Sequence, residues 1–293
     1  MTDYFLKDAK DRRWLKEEIV PSVGPAYRID KVHFEDMSEH QHLTVFENEQ
    51  YGRVLALNGI IQVTTADEFI YHEMMTHVPL FAHGEVQRVL VIGGGDGGII
   101  REVLRHPSVE QVTMVEIERE VVEFSEKWLP DISSGAFKSD RLDLVIEDGA
   151  RFVKDTEDTF DVIIIDSTDP VGPGAVLFTE EFYRDCYACL NPGGIMVTQC
   201  GVPFLQPEEL RNAYDRQQSH FEHVAFYVLA TPCYYGGFMT LGFATDNVAA
   251  LQCPPELIAR RVEGAGLDFN YYAPDVHQAA FALPVYIRDI LSA

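Results

Sequence analysis

Val89-Leu90-Val91-Ile92-Gly93-Gly94-Gly95-Asp96-Gly97-Gly98 is the stretch that decides the fold. Four consecutive aliphatic residues read as a short strand buried on both faces, as in a parallel sheet. The glycines behind them permit positive φ and let a ligand approach the backbone before a helix begins. Gly93, Gly95 and Gly98 also satisfy the GxGxxG spacing of a dinucleotide fold, a weak signal that its strand–loop–helix setting strengthens. Asp96 separates the possible ligands. The N-terminus of a helix favours anions, and a pyrophosphate would sit there in a dinucleotide enzyme. A carboxylate in the middle of the loop repels that group and attracts a sulfonium or an ammonium. An Asp can also simply cap the helix it precedes. The charge reading is preferred because other acids fall on the same rim.

Those acids lie at the ends of the strands that follow. Val112 to Ile117, Leu142 to Ile146, Val162 to Ile165 and Ile195 to Val197 repeat the apolar strand pattern. Helical stretches near 98–106, 118–128, 149–155 and 179–190 separate them, and strands near 223–230 and 238–245 complete the run. Apolar strands alternating with helices predict a parallel sheet covered on both sides. Ligands of such sheets bind outside the carboxyl ends of the strands. Glu116 ends the second strand, where an acid accepts hydrogen bonds from ribose hydroxyls. Asp148, before Gly149, ends the third and is short enough to meet an adenine amino group. Asp166 ends the fourth. Asp96, Glu116, Asp148 and Asp166 are therefore expected to line one crevice.

Ahead of this region, residues 26–66 read as a small antiparallel sheet. Tyr27, Ile29 and Val32-His33-Phe34 roughly alternate with charged residues. Asn58-Gly59 between Leu57 and Ile60 is a strong hairpin signal. Glu47-Asn48-Glu49 reads as another turn. Thr65-Ala66-Asp67-Glu68 fits a capping box, opening a helix that Pro79 is expected to end. Along it Ile70, Met74 and Val78 share one face, and Glu68, Tyr71, His72 and Met75 share another. The organisation expected is an N-terminal β domain with a linking helix over 1–82 and a Rossmann-like domain over 83–293.

The 293 residues are 46% hydrophobic, enough for a substantial core. Acidic residues number 47 against 23 basic, a net charge of −24. Such a balance repels phosphate backbones and argues against nucleic-acid partners. It raises the local concentration of cations, although solubility alone is a sufficient reason for it. Residues 1–14 hold no apolar run resembling a signal peptide, and no stretch reaches the length of a membrane span. Five cysteines suit a reducing compartment, so a cytoplasmic location is expected. His72-Glu73-Met74-Met75-Thr76-His77 has the wrong spacing for a zinc-protease helix, which needs histidines four apart, and no metal site is expected. Cys186 and Cys189 have redox-motif spacing without a redox context and read as helix packing.

Several of these segments, taken together, resemble the polyamine aminopropyltransferases, the family that includes the spermidine synthases. They are Leu57 to Gln62, Asp67 to Met75, Gly93 to Gly98, Val115-Glu116-Ile117, Asp148-Gly149, Asp166 to Pro173, Thr231 to Gly237 and Asp275-Val276-His277. They run in order from about residue 41 to 285. The resemblance implies an α/β fold with a methyltransferase-type Rossmann-like sheet and a small N-terminal antiparallel β domain. It implies decarboxylated S-adenosylmethionine as aminopropyl donor and putrescine as acceptor, yielding spermidine and methylthioadenosine by direct displacement at the carbon on sulfur. Donor contacts carry over to Gln41, Asp96, Glu116, Asp148, Gly149 and Pro173. Amine contacts carry over to Tyr71, His72, Asp96, Asp166, Asp169, Gln199 and Tyr234, with Asp166 as base. The family commonly has Asp where this chain has Glu118, and some members have Gln at the place of His72. A homodimer or homotetramer involving the β domains is also implied.

Chemistry sets a demand on any such site. A primary alkylammonium resembles Lys, near ~10.4, and an ordinary Asp lies near ~3.9, so proton transfer between them is uphill by about 9 kcal/mol. The donor's sulfonium lowers the ammonium, while burial and neighbouring acids raise the Asp. Tyr71 and Tyr234 read either as the walls of a slot for a diamine or as ordinary aromatic core. Cadaverine and spermidine remain open as acceptors. The competing expectations are a methyltransferase using the intact donor, an NAD-dependent oxidoreductase suggested by GxGxxG, and a polyamine-binding protein without turnover.

Overall fold

A computed structural model describes residues 4–37, 41–168 and 172–293. Its N-terminal part begins with a three-stranded antiparallel sheet of β1 (Phe5–Lys7), β2 (Arg13–Lys16) and β3 (Ala26–Arg28). The first two strands are an addition to the sequence reading. A four-stranded antiparallel sheet follows, of β4 (Lys31–Met37), β5 (His42–Asn48), β6 (Gly52–Leu57) and β7 (Ile60–Thr64), in that order. Asn58 and Gly59 take φ of 50° and 80°, the pair of positive angles a two-residue hairpin demands. The expected turn at Glu47-Asn48-Glu49 lies slightly later, because β5 runs through Asn48. The Asn48 Oδ1 then accepts from Gln50 N and Tyr51 N and closes the bend.

Helix α1 (Glu68–His83) departs from expectation at both ends. The capping box is not made: Asp67 occupies the N-cap position without capping. Its carboxylate instead accepts from the Thr64 hydroxyl at 2.6 Å and from Cys233 N at 2.7 Å. Pro79 does not end the helix but lies inside it. The stop is Gly84, left-handed at φ 89°, whose N–H donates to Leu80 O. The expected faces also merge, since α1 is buried on every side from Ile70 to Ala82.

The seven-stranded sheet contains β8 (Arg88–Gly93), β9 (Gln111–Glu116), β10 (Leu142–Ile146), β11 (Phe160–Asp166), β12 (Leu190–Gln199), β13 (His223–Leu229) and β14 (Met239–Thr245). Their order is β10-β9-β8-β11-β12-β14-β13. All neighbours from β10 to β12 are parallel, and β14 is antiparallel to both its neighbours. Helices α2 (Gly98–Arg105), α3 (Arg119–Trp128), α4 (Pro130–Ser133), α5 (Gly149–Asp155), α6 (Glu180–Ala188) and α7 (Pro207–Gln217) connect the strands.

Strand alternation divides the core. Val89, Val91, Val162 and Ile164 face α1, α2 and the C-terminal helices. Leu90, Ile92, Ile163 and Ile165 face α5 and α6, together with Cys186 and Cys189. Both cysteines are buried and unpaired, in keeping with packing roles. From β8 the chain moves outward to β9 and β10 and then jumps across to β11. The reversal leaves a crevice between the carboxyl ends of β8 and β11, where α/β sheets bind ligands. The N-terminal sheets close this end of the molecule. Val45, Leu55 and Val63 pack on Phe124 and Leu129, and Leu15, Tyr27 and Phe46 cluster with Cys233.

Candidate active site

Asp166 and Gly93 are paired in register at the ends of β11 and β8. Gly94 N donates to Asp166 O at 3.0 Å, and a side chain at Gly93 would collide with that carbonyl. Both glycines hold positive φ, 81° and 72°. The loop can therefore fold tightly over the tip of β11 only with glycine at these places. It brings the acids together: the Cβ position of Gly94 is 3.3 Å from Asp166 Oδ2, and that of Gly95 is 3.0 Å from Glu116 Oε2.

Asp166 is half-buried at the tip of β11 and accepts a hydrogen bond from the Tyr71 hydroxyl at 2.7 Å. Burial and the nearby Asp96 carboxylate push its pKa up to about 6, against the opposing pull of His72 and Tyr71. Glu116 is buried, and desolvation lifts it to about 7 although backbone N–H groups oppose this. Tyr71 stands edge-on to Tyr234, with ring centroids 5.9 Å apart at 89°. Tyr234 donates its hydroxyl to Gln62 O at 2.6 Å, so the two tyrosines are held from different sides of the crevice.

Asp96 is engaged at the start of α2 and by a side chain of α1. Its Oδ1 accepts from Gly98 N at 2.7 Å, and its Oδ2 faces His72 Nε2 at 3.3 Å. The other ring nitrogen of His72 meets Glu68, one helical turn earlier on α1. Burial alone would keep His72 neutral, but the flanking carboxylates of Asp96 and Glu68 prevail and raise it to about 10. The imidazole is thus a fixed cation with both nitrogens occupied. A Cβ on Gly98 would fall within its ring, so this glycine makes room for His72 rather than for a ligand. Arg101 of α2 holds Glu68 from behind through its two terminal guanidinium nitrogens, at 3.0 and 2.9 Å.

The remaining predicted residues are more spread out. Gln199, at the end of β12, is buried; its Oε1 accepts from Gly201 N at 2.9 Å, and its Nε2 lies 3.4 Å from Thr168 O. Asp148 is exposed at the end of β10 and caps α5 through Ala150 N at 2.8 Å. Gly149 packs directly on Ile92. Pro173 belongs to the 3-10 helical segment Gly172–Phe178, and Asp169 lies outside the described residues. Gln41 donates to Glu118 Oε2 at 2.8 Å. Glu118 is buried, and its N–H donates to Glu116 Oε1 at 3.1 Å. The sequence marked Glu118 only as a departure from the family pattern and did not single out Arg101, Glu68 or Asp67 for the site. The i, i+4 spacing of Glu68 and His72 was the one available signal. A cleft of about 660 Å³ runs along Glu68, Arg101, Arg105 and Phe269, behind this ion pair and away from Asp166.

The spermine/spermidine synthase domain matches residues 68–252, and the spermidine synthase tetramerisation domain matches residues 13–65. The chain belongs to the spermine/spermidine synthase family. It is 50% identical over 285 residues to the polyamine aminopropyltransferases of Salmonella newport and Salmonella typhimurium, covering 97% of this chain and 99% of each relative. Among solved structures it resembles a spermidine synthase in complex with the transition state analogue AdoDATO. That likeness has a TM-score of 0.88 and 37% identity over 99% of this chain and 94% of the other. The spermidine synthase from Thermotoga maritima gives a TM-score of 0.87 at the same identity and coverage. This spermidine synthase family member is an aminopropyltransferase, and its sheet has the methyltransferase-like form of those structures. Among the described residues, no helix of this family member is long and apolar enough to cross a membrane.

Proposed function

We propose that the chain transfers the aminopropyl group of decarboxylated S-adenosylmethionine to putrescine, releasing spermidine and methylthioadenosine. The observation that carries this reading is Asp166, a half-buried carboxyl held by Tyr71 at the switch point of the sheet and raised to about 6. The gap to an alkylammonium near ~10.4 then shrinks from about 6.5 to roughly 4.4 units, or about 6 kcal/mol. A sulfonium charge ~4 Å from the ammonium contributes up to ~4 kcal/mol more at an effective dielectric constant near 20. Together they leave a step that Asp166 can take as general base.

In this reading Asp166 accepts a proton from the amine. The freed lone pair attacks the carbon bound to sulfur, and the carbon–sulfur electrons stay on sulfur, which becomes a neutral thioether. Positive charge moves from sulfur to nitrogen, towards fixed carboxylates in a site poor in water. Glu116 takes the ribose hydroxyls, Asp148 and Gly149 the adenine, and Gln41 and Pro173 complete the donor pocket. Tyr71, Tyr234, Asp169 and Gln199 line the acceptor side. Asp96 takes the donor's ammonium, and an intact methionine carboxylate at that place would meet Asp96 and Asp166 unfavourably. His72 contributes a charge that steadies Asp96, its nitrogens being occupied.

A homo-oligomer, dimer or tetramer, is supported by the tetramerisation-domain match and by Leu6, Val23, Val32 and Met37, apolar side chains exposed in the N-terminal part. A cytoplasmic setting suits five free, buried cysteines. The division into 1–82 and 83–293 is kept as a working boundary. Helix α1 bridges it, packing Ile70, Met74 and Val78 into the large core while Asp67 reaches the N-terminal strands.

The test supplies purified protein with decarboxylated or intact donor and with putrescine, cadaverine or spermidine. Methylthioadenosine release with the decarboxylated donor and putrescine is expected. Methylation from the intact donor instead would favour the methyltransferase reading. Asp166→Asn is expected to remove most turnover while leaving donor binding largely intact. Turnover near wild type in that variant would reject Asp166 as base.

A further inference from the structure

The loop carrying Tyr234 is fastened almost entirely by the N-terminal part of the chain. Cys233 N donates to Asp67 Oδ2 at 2.7 Å, and the Tyr27 hydroxyl donates to Cys233 O at 3.2 Å. Tyr234 reaches Gln62 O at 2.6 Å. Tyr235 donates to Val23 O at 3.0 Å and accepts from Ile19 N at 2.9 Å. The loop's own reinforcement is slight: Tyr234 N turns back to Thr231 O, and Gly236 and Gly237 follow at φ of 110° and 112°. Asp67 is the one charged group among these fastenings. It is 4% exposed, and its second oxygen is tied to Thr64 at the end of β7.

We propose that Asp67 is a positioning residue for the amine slot: it hangs the 231–235 loop on the N-terminal sheets and thereby fixes the Tyr234 ring opposite Tyr71. The N-terminal part then builds half of the acceptor site, in addition to any role in assembly. The inference rests on the acceptor role of Tyr71 and Tyr234 given above. Charge as such is not required of residue 67. An Asn could turn its amide oxygen to Cys233 N–H and donate its NH₂ to the Thr64 hydroxyl, which can rotate to accept. An Ala leaves a buried N–H without an acceptor, so the loop must shift to find one. Tyr234 moves with the loop, whereas Glu116 and the glycine loop are anchored in the large sheet and do not.

The experiment compares wild type with Asp67→Ala, Asp67→Asn and Tyr27→Phe. It measures KM for putrescine at saturating donor, KM for donor at saturating putrescine, and thermal midpoint. Asp67→Ala is expected to raise the putrescine KM by about tenfold or more, with donor KM within about twofold, because sub-ångström misplacement of a substrate wall is felt strongly. Asp67→Asn should stay near wild type, and Tyr27→Phe should raise the putrescine KM by about two- to threefold through loss of one neutral hydrogen bond. Equal rises in both KM values, an unchanged Asp67→Ala, or an Asp67→Asn as impaired as Asp67→Ala would overturn the proposal. Should Asp67→Ala fail to fold, Tyr27→Phe decides, and an unchanged putrescine KM there overturns it. A wild type releasing no methylthioadenosine would strike the proposed function rather than this inference. Putrescine binding by calorimetry in the presence of methylthioadenosine is then compared across the variants, and equal affinities overturn it.

Discussion

Replacing Tyr71 with Phe removes one oxygen, and the structure says which titration should respond. The Tyr71 hydroxyl donates to Asp166 Oδ1 at 2.7 Å, from a buried ring to a half-buried carboxylate. Hydrogen bonding to the charged form lowers the pKa of an acid. Of the influences on Asp166, burial and Asp96 raise it, while His72 and Tyr71 lower it. Deleting the hydroxyl leaves the raising influences in place, so Asp166 must titrate at higher pH. A hydrogen bond to a charged group is worth about 1.5–3 kcal/mol, and one pH unit is ~1.4 kcal/mol, so the displacement is about 1–2 units. The acidic limb of the rate profile should move from about 6 to roughly 7–8. With a displacement of ~1.5 units, the fraction of ionised base falls roughly fourfold at pH 7 and about fifteenfold at pH 6, and recovers by pH 9. The assay is kcat/KM for putrescine at saturating donor, read as methylthioadenosine release between pH 5.5 and 9.5. Titration of the amine and the influence of the sulfonium act on both proteins alike, so the separation between profiles isolates Tyr71. An unmoved limb, or one displaced to lower pH, would refute Asp166 as the titrating base or Tyr71 as its hydrogen-bond donor.

The other two predictions concern packing and stability. Gly98→Ala should evict the His72 ring and break its pairs with Glu68 and Asp96, at a cost of about 3–5 kcal/mol in unfolding free energy. The same change made in a His72→Ala background should cost much less, and a single variant as stable as wild type would show that His72 is not packed against Gly98. Lowering the pH should destabilise the protein through His77 and His106, whose rings meet at 2.9 Å in the core. Burial holds both below the ordinary histidine range, His106 down to about 3. The unfolded chain therefore takes up protons near pH 6.5 that the folded chain refuses, and stability declines from about pH 6.5 towards 3. Thermal midpoints from pH 7 to 4.5 should fall less steeply in His106→Asn; an identical slope would rule out this source.

How legible the molecule was in its sequence depended on the range of the forces involved. The strands of the large sheet could be read because β8 and β11 are buried on both faces and so are continuously aliphatic. The Asn58-Gly59 hairpin could be read because only a few residues tolerate two positive φ angles. Asp96, Glu116 and Asp166 could be expected together because strand ends of a parallel sheet share one rim. Their partners could not, because those bonds join distant segments. Asp67 looked like part of a capping box, yet its carboxylate is drawn to Cys233 N, 166 residues away in sequence. Pro79 looked like a helix end because local rules penalise it, but burial of Phe81 and Ala82 carries α1 on to Gly84. Strands β1 and β2 are three and four residues long, with mostly part-exposed side chains, and leave little periodic trace.

The arrangement also explains how so many acids can share one crevice. Asp96, Asp166 and Glu116 would repel one another if all were ionised and dry. Two devices relieve this. The first is partial protonation: Asp166 at about 6 and Glu116 at about 7 are free to carry a proton until something positive arrives. The second is His72, a cation built into the wall between Glu68 and Asp96 and secured by Arg101 through Glu68. These devices act on different acids. His72 faces Asp96 beside the glycine loop, on the side proposed for the donor's positive charge. Protonation leaves Asp166 and Glu116 adjustable, and Asp166, the proposed base, is the one placed against Tyr71. A cation built into one side of the crevice and adjustable acids on the other suit the proposed transfer between two cations, because only one of them gives up a proton.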